Sequence, residues 1–71
     1  MKTVTTPTEI ELRLANSVRR AHDAKFSLDE QKNPEVQSFF ELRGLHRRGR
    51  IGDSMLVAGH TSTLMACGYI R

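Results

Sequence analysis

Apolar positions in the first third of the chain recur with the period of a helix. Ile10, Leu14, Val18 and Ala21 fall within one stripe about 80° wide at 100° per residue, the pattern of a helix packed on one side. Its start is marked. Thr6, Pro7 and Glu9 stand at the N-cap, first and third helical positions, a capping box with proline where its missing N–H costs nothing. Glu9 and Arg13 add a favourable i,i+4 pair. A strand is the alternative, because Ile10, Leu12 and Leu14 alternate with Glu9, Glu11 and Arg13, but Val18 and Ala21 carry the stripe past the length of a strand. The spacing predicts a helix over 7–25, with Leu12 on its flank and an extended arm over 1–6.

Residues 26–33 read as a connector in which Ser27 and Glu30 repeat the capping-box spacing, so a short helical turn is expected there. Asp29 and Glu30 are read as solvated members of that turn rather than as a metal or acid–base pair. The second helix is marked at both ends: Asn33 as cap, Pro34 as first residue, Glu35 against the positive end of the dipole, and Gly44 as the left-handed stop. It is predicted over 34–43, with Val36, Phe39, Phe40 and Arg43 on one face and the two phenylalanines packing on the stripe of the first helix. A basic Gly/Arg loop over 44–52 follows.

The last segment admits two readings. With Asp53 as cap, Met55, Leu56, Val57, Ala58, Leu64, Met65 and Ala66 surround a helix on nearly all sides, which makes it the buried central helix. Gly59 and the Thr61-Ser62-Thr63 run weaken it. The alternative is a hairpin with strands at 55–58 and 63–67. The expected fold is therefore mainly α, a small three-helix domain with an extended N-terminal arm; the alternative is α+β, two helices and a C-terminal β-hairpin.

Composition narrows the function. A chain of 71 residues holds one domain, 1–71, and 38% hydrophobic with 6% aromatic residues make its core small and aliphatic. One cysteine, Cys67, excludes an intrachain disulfide. No apolar run approaches the ~18 residues of a membrane span. The first eight residues have no apolar core of a secretory signal, so a cytoplasmic location is expected. Ligand clefts of ~300–1,000 Å³ are hard to carve from so small a core, so no catalytic activity and no cofactor are expected.

Charge is uneven. Residues 1–41 carry a net −1, whereas residues 42–71 carry +4, with five arginines against Asp53 alone. Arg43, His46, Arg47, Arg48 and Arg50 are the candidate nucleic-acid-binding residues. Guanidinium forks grip phosphate with paired hydrogen bonds, and neighbouring glycines let the backbone come close to an anion. The competing reading is a solvated loop whose arginines pair with Glu41 and Asp53. Arg19 and Arg20 lie opposite the apolar stripe of the first helix, and no helix is read as carrying the Asn, Gln and Arg set that recognises base edges.

A second surface competes. Met55, Leu56, Leu64, Met65, Tyr69 and Ile70 offer more apolar area than two short helices cover, which suits a larger protein partner or a second copy of the chain, with Met55, Leu64, Met65, Tyr69 and Ile70 as the candidate partner-binding residues. His22, His46, His60 and Cys67 have no paired spacing, so no metal site is expected. Cys67 reads as a small buried hydrophobe. Gly59-His60-Thr61-Ser62-Thr63 has the outline of a nucleophile elbow, but its fifth position is Thr and the chain has no large sheet to hold such a turn.

Overall fold

A computed structural model describes residues 7–70. It has three α-helices, α1 (Pro7–Asp23), α2 (Pro34–Arg47) and α3 (Asp53–Ala66), with a 3-10 turn at Glu30–Lys32. No strand occurs among the described residues, so the hairpin alternative is not formed. The expected N-terminal arm lies outside the described residues.

Local signals act where they were read. The Asn33 side chain accepts from the Glu35 N–H at 2.9 Å, closing the start of α2. Ser27 and Glu30 form a reciprocal box: Ser27 N–H donates to Glu30 Oε1 at 2.8 Å and Glu30 N–H donates to Ser27 Oγ at 3.2 Å. The first turn of α3 differs slightly: Gly52 is the N-cap and Asp53 the first helical residue, where its carboxylate still faces the positive end of the dipole.

The end of α2 is a correction. Gly44 does not stop the helix, which continues to Arg47, so the basic loop shortens to 48–52. The left-handed residue is Gly49, at φ 74°. Gly49 N–H donates to His46 O at 3.0 Å and Arg50 N–H to Leu45 O at 2.9 Å, the two bonds of a Schellman stop. An internal glycine costs ~1 kcal/mol, and the extra turn offsets it by half-burying Leu45 and His46. α3 ends the same way, with Gly68 at φ 81° and Tyr69 N–H donating to Leu64 O at 2.9 Å. Gly49→Ala meets open space but must hold a left-handed φ, so it should lower stability by about 1–2 kcal/mol. Gly44→Ala, with equally open space and no such φ, should raise it; urea denaturation of the pair checks the assignment.

α3 is the element packed on both others, and α1 and α2 have no comparable packing between them. The core is Ala21, Phe26, Val36, Phe39 and Leu56, with Val18, Ala24, Phe40, Leu42, Ile51 and Cys67 partly buried against it. The two phenylalanines share this cluster with Ala21 and Val18 of the α1 stripe, but their ring contacts run to the connector and α3. Phe39 lies edge-on to Phe26 at 5.9 Å and stacks with His60 at 5.1 Å, so α2 closes over the connector and α3. Only the C-terminal part of the α1 stripe is used: Ala21 is buried, while Ile10 is 54% exposed. The molecule is correspondingly long, 49 × 30 × 15 Å, with a radius of gyration of 13.9 Å, against ~11 Å for a compact chain of this length.

α3 tolerates its weak formers because packing uses them. A Cβ at Gly59 would overlap a Leu42 methyl of α2, so the absence of a side chain there lets Leu42 pack directly on the α3 backbone. Thr63 is buried, and its hydroxyl lies 2.9 Å from Gly59 O and 3.3 Å from Glu35 O, one proton shared between its own helix and the start of α2.

Candidate nucleic-acid interface

The five basic residues expected to act together are divided by the fold. Arg43 is half-buried. Its Nη1 donates to Ala24 O at 2.9 Å and its guanidinium lies 5.5 and 5.3 Å from the Phe39 and Phe40 ring centroids. It ties the end of α1 to α2, and those contacts hold it away from a ligand. His46 is engaged on both ring nitrogens: Nε2 contacts Asp53 Oδ1, and Nδ1 lies 2.9 Å from His22 Nε2. Through the two ring nitrogens of His46, one chain of hydrogen bonds joins His22 of α1, His46 of α2 and Asp53 of α3.

Arg47, Arg48 and Arg50 remain exposed. The pairing with Glu41 and Asp53 that the competing reading offered is not formed among the described residues. Asp53 is bonded to His46, and neither Glu41 nor any of the three arginines has an ion pair among the described residues. The Schellman turn at Gly49 holds this basic corner in one backbone shape.

α1 adds positive charge that the charge count by halves concealed. Arg13, Asn16, Ser17, Arg19 and Arg20 line a shallow surface groove of about 610 Å³. Arg13, Asn16, Ser17 and Arg20 are spaced i, i+3, i+4, i+7, which puts them on one face. Asn16 shares that face with the arginines, but α1 has no Gln, so the Asn, Gln and Arg set that recognises base edges is not completed on it.

His22 and His60 report how the charges converge. Burial lowers the pKa of His22, and the positive neighbours His46, Arg47 and Arg43 lower it further, outweighing Asp23. Burial also lowers His60, with Arg20 and Arg43 adding to it. Both histidines should titrate below 6.5 when ring-proton shifts are followed by NMR. The folded chain then binds fewer protons than the unfolded one, so this stability is complete above pH ~6.5 and falls as pH drops through that value. His60→Gln should shrink the loss of melting temperature between pH 7.5 and pH 5.5.

Of the residues expected to form the apolar surface, Met55, Met65, Tyr69 and Ile70 are exposed, whereas Leu56 is fully buried in the core and Leu64 is half-buried and lines a cleft between α1 and α3. They do not make one patch: Met55 and Met65 are ten residues apart, about 15 Å along α3. Glu30 and Tyr69 act on each other's titration: hydrogen bonding with Glu30 raises the tyrosine, and hydrogen bonding with Tyr69 lowers the glutamate. Leu28, before the 3-10 turn, is 80% exposed. Cys67 is half-buried, and burial and the Glu30 charge push its thiol up, the opposite of an activated nucleophile.

Among the described residues no three His, Cys, Asp or Glu side chains are placed to hold a metal ion, and no helix is long and apolar enough to cross a membrane. Compared with protein-family models, curated proteins and solved structures, the chain has no match.

Proposed function

We propose that the chain is a non-catalytic binding protein that contacts nucleic-acid phosphates through Arg47, Arg48 and Arg50. One observation carries the reading. Asp53, the only carboxylate of the second half, is bonded to His46, so three exposed arginines on a fixed turn have no acidic partner within the described residues. Uncompensated guanidinium groups at close spacing attract phosphate and hold it bidentately. Arg13 and Arg19 on α1 extend the basic surface. The test is fluorescence anisotropy with duplex and single-stranded probes near 0.15 M salt, where the Debye length is ~8 Å and stray attraction is screened. Binding at micromolar level or tighter that weakens with added salt is expected; its absence there would falsify the reading.

A second reading is favoured by Leu28, Met65, Tyr69 and Ile70. It makes the end of α3 and the 3-10 turn a docking surface for a larger protein or a second copy of the chain. Light scattering separates self-association from a monomer awaiting another partner.

A further inference from the structure

α1 and α3 do not close fully on each other. Between them lies a cleft of about 190 Å³ lined by Ser17, Arg20, Val57, His60, Thr61 and Leu64. The α3 residues follow i, i+3, i+4, i+7, which puts two apolar and two polar side chains on the one face turned to α1. The volume is below the ~300–1,000 Å³ of sites for whole small molecules. It equals about six water volumes of ~30 Å³ each, enough for one tetrahedral anion.

The polar lining consists of hydrogen-bond donors without an anionic neighbour. Arg20 Nη2 donates to Ser17 Oγ at 3.2 Å, which ties the guanidinium to a second lining residue and leaves the Ser17 proton free to donate. Four N–H groups of Arg20 remain. His60 is steadied by its stack on Phe39, 5.1 Å between centroids and 22° between planes. Neither its ring nitrogens nor the Thr61 hydroxyl has a side-chain hydrogen bond among the described residues. No carboxylate lines the cleft, and the Arg20 and Arg43 charges both act on His60.

We propose that this cleft is a binding site for a single phosphoryl group, held by Arg20, Ser17, His60 and Thr61. Donors from two facing helices match the several oxygens of a phosphate better than the two coplanar oxygens of a carboxylate. The site is separate from the Arg47–Arg50 corner and does not depend on it. The source is either a free or terminal phosphate or a phosphate within a nucleic-acid strand.

The experiment adds inorganic phosphate to the full chain at pH 7 while sodium chloride holds the ionic strength constant, and follows the His60 ring resonances by NMR. Saturation near 1 mM is expected, about the affinity reached by a few charge-assisted hydrogen bonds. The midpoint of His60 titration should rise, because a bound anion favours the imidazolium. Arg20→Ala, at an exposed position, should weaken phosphate about tenfold or more, and Arg20→Lys should recover part of the loss. The triple variant Arg47→Ala, Arg48→Ala, Arg50→Ala should bind phosphate like the parent, even if it no longer binds nucleic acid. A short strand with a 5′-phosphate and the same strand with a 5′-hydroxyl identify the source. A His60 response to the first alone assigns a terminal phosphoryl group, and a response to both assigns strand phosphates. A His60 signal that phosphate moves no more than chloride does, or moves equally in Arg20→Ala, overturns the proposal.

Discussion

Phe39→Ala should abolish the cooperative thermal transition. The Phe39 ring is fully buried and is one of five buried apolar residues among the described residues. It contacts three other rings directly: Phe26 edge-on at 5.9 Å, Phe40 at 6.2 Å and His60 by stacking at 5.1 Å. Its loss opens a cavity where the connector, α2 and α3 meet. A buried Phe→Ala costs ~3–5 kcal/mol. A single core below ~70–80 residues rarely supplies more than ~3–5 kcal/mol. The two figures are equal, so the variant has nothing left to fold with. Phe40→Ala should cost less, because that ring is only half-buried. Circular dichroism melting of both variants checks the order; equal and small losses would mean that the aromatic cluster is not the centre of the core.

Removing Arg47, Arg48 and Arg50 together should cut nucleic-acid affinity by about tenfold or more, with the fold intact. The three side chains are exposed and make no ion pair among the described residues, so their removal breaks no ion pair of the fold described. Each lost phosphate contact releases one fewer condensed counterion. For a duplex, the slope of log affinity against log salt should flatten by up to ~0.9 per contact, ~2.7 for three. Arg43→Ala should behave differently. Its guanidinium holds Ala24 O and lies over two rings, so stability falls while the salt slope stays near that of the parent. A triple variant with unchanged slope would move the phosphate contacts to the Arg13, Arg19 and Arg20 face of α1.

Elements governed by neighbouring residues were legible in the sequence. Proline at the first helical position, the Asn33 cap and the Ser27–Glu30 box act over two or three residues, through backbone groups that any chain with those side chains would present. They placed the start of two helices and the turn between them without knowledge of packing. The basic excess of the second half was equally plain, since charge needs only counting.

What remained hidden depended on residues far apart in the chain. Gly44 and Gly49 are both able to end a helix, and the choice fell to Gly49 because one more turn half-buries Leu45 and brings His46 to His22 of α1 and Asp53 of α3. Gly59 and Thr63 read as helix weakeners until Leu42 and Glu35 of α2 lie against them. The same long-range contacts sorted the arginines. Arg43 turned inward to a carbonyl and two rings, Asp53 went to a histidine, and three guanidinium groups were left on the surface. Local propensities differ by ~1 kcal/mol or less per residue, whereas burying one Phe or satisfying one buried bond is worth as much or more. Tertiary contacts therefore overruled local preference wherever the two disagreed, and they decided which charges face outward.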